Sequence, residues 1–266
     1  MTIISIKNNN EINKMRLSGK LVADVLEMIE NYIVPGVTTQ KINDICHNYI
    51  INKQHAQPAC LNYQGFPKSI CISKNNIVCH GIPNKNEILQ NGDIVNIDIA
   101  IVKNQYYSDA SKMFFVGKPT LLSQKLCHVA KKSLYLALNK IKSGIYLHNI
   151  SETIQNYVEK NNFSIVKEYC GHGIGKNFHE PPHILHHTYY KNEKIILKSG
   201  MTFTIEPMIN VGSSKVTCMN DGWTVKTADN SLSAQYEHTI LVNKAGCEIL
   251  TLQKGENIPK ILNNKN

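Results

Sequence analysis

Arginine is nearly missing from this chain: Arg16 is the only one, although lysine and arginine together number 29 against 20 acidic residues. Readers of bases and phosphates lean on the bidentate guanidinium fork, and clustered basic residues with interleaved aromatics are missing as well. The net charge of +9 therefore reads as a solvated lysine surface and excludes a specific nucleic-acid interface. Attraction to a large anionic body such as the ribosome is the weaker alternative. No apolar run approaches the ~18 residues that span a bilayer, so no membrane partner is expected. Met1 to Lys7 lacks the apolar stretch and small-residue cleavage site of a secretion signal. The eight cysteines form no C-x-x-C pair and no zinc-finger spacing, which argues against a disulfide framework or a thiolate zinc site. They read as reduced thiols of a cytoplasmic protein, most of them small buried hydrophobes. With 42% hydrophobic and 18% charged residues over 266 positions, disorder is excluded and a sizeable core is available.

What is present is a repeated order of elements. Helical periodicity from Glu11 to Ile33 puts Leu21, Val22, Val25, Leu26 and Ile29 on one stripe. Pro35-Gly36 ends it, and Thr38-Thr39 caps a second helix through about Lys53. Short apolar runs broken by Asn, Gly and Pro predict strands from about Ser69 to Phe115. Helices are predicted again over 123–142 and 149–160, then strands over 201–211, 223–226 and 236–242. The polar tail, 253–266, is expected to fray. An offset of 108 residues places Gly36, Ile42, Asn48 and Tyr49 on Gly144, Ile150, Asn156 and Tyr157, and Gly92, Ile97 and Asp98 on Gly200, Ile205 and Glu206. One offset thus aligns helix with helix, strand with strand and acid with acid. The expected architecture is one α+β domain, 1–266, made of two halves (about 11–115 and 123–252) related by a pseudo-two-fold axis. Its site should lie where the halves face each other.

Acids in apolar strands identify that site. If Lys103-Asn104 forms a two-residue hairpin loop, Asp98 pairs directly with Asp109, with β-carbons about 4.5–5.5 Å apart. Like charges so placed repel, and Asp98 stands between isoleucines, where an unpaired carboxylate is expensive. A cation between them removes both problems. Glu206 occupies the repeat position of Asp98, and Glu237 is a further acid in an apolar strand. His172 stands in Gly171-His172-Gly173-Ile174-Gly175, whose glycines permit close backbone approach. Four carboxylates and one imidazole suit two divalent ions with some carboxylates bridging.

Further stretches carry a family likeness: Ala59-Cys60-Leu61-Asn62-Tyr63, Val78-Cys79-His80-Gly81-Ile82-Pro83, Gly92-Asp93-Ile94-Val95-Asn96-Ile97-Asp98, Cys170 to Gly175, Phe178-His179-Glu180-Pro181-Pro182, Thr204-Ile205-Glu206-Pro207-Met208 and Tyr236-Glu237-His238-Thr239. From about Glu11 to Leu252 the chain resembles type I methionine aminopeptidase. The resemblance implies the pseudo-symmetric "pita-bread" fold, an antiparallel sheet flanked by helices. It implies that Asp98, Asp109, His172, Glu206 and Glu237 bind two divalent ions (Co, Mn, Fe or Zn), with Asp109 and Glu237 bridging. Glu206 is then the general base. His80 and His179 contact the substrate backbone and stabilise the tetrahedral intermediate, each such donor being worth roughly 10²–10³ in rate. The same two histidines, with Cys60, Tyr63, Phe66, Cys71, Phe178 and Trp223, line the pocket for an unbranched thioether. Phe66 stands where many members carry tyrosine. Asn75, Ile77 and Ser233 match a monovalent-cation site, whereas His183, His186 and His187 are read as loop histidines without a role.

The activity so implied is cytoplasmic removal of initiator methionine from nascent, deformylated polypeptides with a small second residue, by a monomer. One rival is a proline-specific aminopeptidase of the same fold. Such enzymes usually carry an additional N-terminal domain, and only about 60 residues precede the first site motif here. The other is an inactive binding module, which the loss of a ligand would signal, yet all five are in place.

Overall fold

Asn8 opens the first helix by accepting hydrogen bonds from the backbone N–H groups of Asn10 and Glu11 (3.0 and 3.1 Å). Glu11 in turn accepts from the Asn8 N–H at 2.9 Å, a reciprocal capping box. The computed structural model describes residues 4–189 and 195–256. Its first half runs α1 (Asn9–Ile29), α2 (Thr39–Asn48), β1 (Gln57–Pro58), β2 (Cys71–Lys74), β3 (Ile77–Cys79), β4 (Ile94–Lys103) and β5 (Tyr106–Phe115). A 3-10 turn, Glu30–Tyr32, extends α1, and a π-helical turn, Tyr49–Lys53, extends α2. Its second half runs α3 (Leu121–Leu138), α4 (His148–Lys160), β6 (Ser164–Ile165), β7 (Gly171–Gly173), β8 (Glu180–Ile184), β9 (Thr202–Ile205), β10 (Met208–Asn210), β11 (Val216–Cys218), β12 (Val225–Thr227), β13 (Ser233–Gln235), β14 (His238–Val242) and β15 (Cys247–Ile249). Among the described residues no helix is long and apolar enough to cross a membrane, and all eight cysteines are free thiols, five of them buried.

Strand pairing is antiparallel throughout, and this mixture of antiparallel sheets and helices is the α+β, pita-bread arrangement expected. β4 takes β5 along its whole length on one side, and β2 and β1 on the other. A five-stranded sheet in the order β15-β14-β9-β7-β8 forms most of the second half. Alternation along β4 divides its labour. Ile97, Ile99 and Ile101 pack with Val22, Leu26, Ile29 and Ile42 of the helices, while Asn96, Asp98 and Ala100 point to the opposite face. In the second half, Leu126, Leu134, Ile150 and Ile154 of α3 and α4 cover Phe203, Ile205 and Ile240. Each fully buried side chain of this kind contributes about 1.5–3 kcal/mol.

The β4–β5 register corrects the sequence expectation. The loop is Asn104-Gln105, both left-handed (φ 51° and 67°), as a type I′ hairpin requires. Lys103 therefore stays in the ladder opposite Tyr106, Asp98 faces Ser111, and Asp109 faces Ala100. Asp98 and Asp109 are diagonal neighbours on one face rather than a direct pair, which still leaves them within about 7–8 Å. Asparagine tolerates the left-handed region better than lysine does, and this moves the turn by one residue.

The two halves share backbone detail at the offset of 108. The Gly36 N–H donates to the Leu89 carbonyl and the Gly144 N–H to that of Leu197, each at 2.8 Å. Leu89 N–H reaches Val37 and Leu197 N–H reaches Ile145, again at 2.8 Å. Isolated bridges join Thr38 to Ile88 and Tyr146 to Ile196. The halves meet edge to edge at the acids. Glu237 N–H donates to the Ser111 carbonyl (3.0 Å), and the Asn96 side-chain amide donates to the Gln235 carbonyl (2.8 Å).

Of the tail expected to fray, positions 253–256 are described. Glu256 is packed in, its carboxylate 3.1 Å from Lys131 Nζ and its side chain 8% exposed. The remainder of that tail, 257–266, lies outside the described residues.

Candidate metal centre and substrate cavity

β4, β5, β7, Glu206 just past β9 and the strand-entry residue Glu237 each deliver one polar side chain to a single cavity of about 1630 Å³. Asp109, His172 and Glu237 place ligand atoms within 4.8 Å of one another. Glu206 Oε1 lies 3.8 Å, and Asp109 Oδ2 4.0 Å, from His172 Nε2. Asp98 lines the same cavity, as do Cys60, Tyr63, Phe66, Cys71, His80, Phe178, His179 and Trp223. All the residues expected at the divalent centre and the thioether pocket are thus brought together. Asn75, Ile77 and Ser233 are not part of this cavity's lining; Asn75 gives its carbonyl to the Ser233 N–H at 2.8 Å, while the Ser233 hydroxyl is buried without a partner.

Electrostatics make the acidic cluster costly on its own. Burial raises Asp98 to about 6. Burial also raises Glu206, to about 8, with a further push from Asp98 and against a hydrogen bond from Thr204. Asp109 and Glu237 are driven well above the usual carboxylate range by burial and by the neighbouring acids. Among the described residues no lysine or arginine pairs with any of the four. Asp109 Oδ1 and Glu237 Oε1 are buried with no hydrogen-bond partner, a condition native structures avoid unless something else occupies the site. An oxygen-rich set with one imidazole fits borderline divalent ions.

The imidazole is prepared for that role. His172 Nδ1 lies 2.9 Å from the Gly173 carbonyl, and burial, with His179 adding to it, lowers its pKa to about 3. The ring is neutral, Nδ1 carries the proton, and Nε2 turns its lone pair toward the acids. Glu206 is held by Thr204 Oγ1 on Oε1 (2.8 Å) and by Gln235 Nε2 on Oε2 (3.2 Å).

The His179 ring lies tilted against that of His172, 4.1 Å between centroids, and burial, His80 and His183 lower its pKa to about 4. Tyr63 OH meets its Nδ1 at 2.8 Å, leaving Nε2 free. The loop bearing Phe178 and His179 is anchored from a distance. Lys7 Nζ contacts Glu180 Oε2 at 2.6 Å, with both side chains under 10% exposed, and Glu180 Oε1 accepts the Asn177 N–H at 3.0 Å. A Cβ on Gly175 would come within 2.4 Å of Lys7 Cε, so a larger residue there would have to push the lysine aside. His80 follows β3 in a left-handed conformation (φ 55°), its ring edge-on to Tyr169 and Trp223 at 5.6 and 6.1 Å. Tyr63→Phe keeps the edge contact to Phe178 (4.9 Å) but releases the His179 ring. The expected loss is roughly 2–10-fold in kcat, the worth of one hydrogen bond; steady-state kinetics with an unchanged kcat would dismiss the role.

One group escaped the sequence analysis. His186, read as a loop histidine, is 1% exposed, and its Nε2 accepts the backbone N–H of Glu206 at 3.1 Å. Its neutral state follows from burial and His187, which lower it to about 3. The crowd of histidines at 183, 186 and 187 masked it, although its position just past the alternating β8 was a usable signal.

The chain matches the model of metallopeptidase family M24 over residues 13–244. It is 75% identical over 264 residues to the methionine aminopeptidase of Buchnera aphidicola subsp. Baizongia pistaciae, covering 99% of each chain. It is 56% identical over 259 residues to that of Escherichia coli K12, covering 97% of this chain and 98% of that one. The crystal structure of methionine aminopeptidase from Rickettsia prowazekii superposes with a TM-score of 0.91 at 47% identity, over 94% of this chain and all of that one. The Xaa-Pro dipeptidase of Bacillus anthracis shares the fold at 21% identity (TM-score 0.74), with 63% of its chain covered.

Proposed function

From the fact that the chain belongs to metallopeptidase family M24, we propose that it acts as a methionine aminopeptidase, releasing N-terminal methionine from polypeptides. The observation that carries the metal-dependent chemistry is the pair of partnerless buried oxygens, Asp109 Oδ1 and Glu237 Oε1, beside a neutral imidazole at the base of a cavity with apolar walls. Asp98, Asp109, His172, Glu206 and Glu237 hold two divalent ions from among Co, Mn, Fe and Zn. Such ions, when bound, supply Lewis acidity that brings a water's pKa from about 15.7 toward 7.

The chain's own groups do the rest. Glu206, held between the Thr204 hydroxyl and the Gln235 amide, takes a proton from the attacking water and returns it to the leaving amine. Tyr63 on Nδ1 leaves His179 Nε2 to donate to the carbonyl oxygen as charge develops there, and His80 assists from the facing wall. Cys60, Phe66, Cys71, Phe178 and Trp223 exclude water and accept the flexible thioether side chain. A free, deformylated α-amine and a small second residue complete the substrate. The setting is the cytoplasm, with the enzyme a monomer working on nascent chains near the ribosome surface, and Asn75, Ile77 and Ser233 bind a monovalent cation.

Methionine release from a Met-Ala-Ser peptide tests this reading. Chelation abolishes it, and one of the four metals, added singly, restores it. Activity in fully metal-free protein would overturn the mechanism. Fast cleavage of an X-Pro peptide with slow release from Met-Ala-Ser would return the proline-specific reading, which the high identity to methionine aminopeptidases disfavours. Metal binding without turnover of either peptide would leave an inactive binding module.

A further inference from the structure

Behind the acidic cluster, on the far side of β14, a second set of buried polar groups forms a continuous chain. Thr239 Oγ1 donates to the Asp109 carbonyl at 2.7 Å and accepts the Asp109 N–H at 2.9 Å. One side chain thereby fixes both backbone groups of Asp109. Thr239 N–H donates to Thr251 Oγ1 at 3.2 Å, and the same hydroxyl lies 3.0 Å from His238 Nδ1. His238 Nε2 lies 3.3 Å from Tyr135 OH and 3.5 Å from Glu256 Oε2, and Glu256 Oε1 meets Lys131 Nζ at 3.1 Å. Thr239 and Thr251 are fully buried and His238 is 2% exposed.

We propose that Thr251, His238 and Glu256 are positioning residues for the metal centre, with the C-terminal segment setting Asp109 and Glu237 through this relay. The inference rests on the reading of Asp109 and Glu237 as ligands.

The direction of each bond is determined by its neighbour. The Glu256 carboxylate can only accept, so the His238 ring proton facing it sits on Nε2. Nδ1 is then left to accept the Thr251 hydroxyl proton, while Thr251 Oγ1 accepts the Thr239 N–H. Lys131 balances the carboxylate at the end of the chain. His238 directly follows Glu237, and successive strand side chains point to opposite faces. Pinning the imidazole behind the strand therefore fixes the angle at which Glu237 leaves it in front. Two groups that must share an ion are set by one network: Glu237 through its neighbour's ring, and Asp109 through Thr239. Burying the Glu256 carboxylate beside a half-exposed Lys131 is expensive, and apolar residues of similar volume would pack as well. What the polar set adds is orientation, and partners of this kind around metal ligands are worth about 10–100-fold in affinity or activity.

Thr251→Val removes the hydroxyl at constant shape. Isothermal titration with Mn²⁺ is expected to show affinity weakened about 10-fold, and kcat on Met-Ala-Ser should fall in parallel while KM stays within about two-fold. Thr251→Ser restores both, which a packing role would not. Glu256→Gln, which keeps the volume and loses the charge, moves Mn²⁺ affinity in the same direction, and it decides the matter if the valine variant does not fold. Wild-type affinity and kcat in Thr251→Val, or wild-type affinity in Glu256→Gln, would overturn the relay. Asp109→Asn and Glu237→Gln are titrated alongside. If these lose Mn²⁺ while the relay variants do not, the relay alone fails. If they bind like wild type, the ligand reading fails and the relay with it.

Discussion

Replacing Glu206 by glutamine should leave a folded chain that binds metal and turns over Met-Ala-Ser about 10²–10⁴ times more slowly, the usual worth of a positioned acid–base group. Shape is conserved, and His186 still anchors the backbone N–H at this position. What changes is the proton inventory. The carboxylate accepts from Thr204 on one oxygen and from Gln235 on the other. An amide must turn its NH₂ toward one of those two donors, and it has no proton to exchange at neutral pH. Counting bound Mn²⁺ by calorimetry while measuring single-turnover rates separates the two roles of Glu206. Loss of metal with loss of rate assigns it to ligation alone. Full occupancy with a wild-type rate refutes the general-base assignment.

The metal-free protein should lose stability as pH rises from about 6.5 to about 8. Asp98 and Glu206 have folded-state pKa values raised to about 6 and about 8, and Asp109 and Glu237 are raised as well. For a raised pKa, the folded state binds protons more tightly than the unfolded chain. The stabilising contribution is complete below the unfolded value, near 4, and is lost as pH climbs through each folded value. Groups with lowered pKa work in the opposite sense. Glu256 and Asp229 act below this range. His172, His179 and His186, lowered by burial, add stability as pH rises to the unfolded imidazole value near 6.5, so the loss is read above that pH. Each shifted unit corresponds to about 1.36 kcal/mol, so scanning calorimetry of chelated protein should show Tm falling by ~5 °C or more between pH 6.5 and 8. Saturating divalent metal removes most of that slope by giving the carboxylates a counter-charge. A metal-free Tm that rises across the interval would show that the acids are not desolvated as described.

The part of this centre legible in the sequence was the part in which polarity contradicts its surroundings. Asp98, Glu206 and Glu237 stand out because apolar strand neighbours make a carboxylate expensive, and the offset of 108 ties the first two together. Capping by Thr38 marked the second helix for the same reason, since backbone donors at helix starts demand specific side chains. The hairpin register was less legible. It depends on whether Asn104 or Lys103 takes up the left-handed backbone, and a shift of one residue in the turn converts a direct acid pair into a diagonal one. Strands of two or three residues such as β6, β7 and β13 carry too little alternation to register as a period. The Lys7–Glu180 pair and the burial of Glu256 were invisible because each depends on a partner far away in the chain, and no local pattern encodes such a partner.

The Lys7–Glu180 pair also dictates timing. Its members are 173 residues apart, so closing that contact spans most of the chain and carries the entropy of a very long loop. During synthesis the segment that will brace the histidine loop emerges first and waits, unpartnered, until Glu180 and the strand beyond it have left the ribosome. Asp98 and Asp109 likewise wait for His172, Glu206 and Glu237. Catalytic competence in this chain is therefore among the last properties acquired in folding, and no N-terminal portion of it acquires that property early.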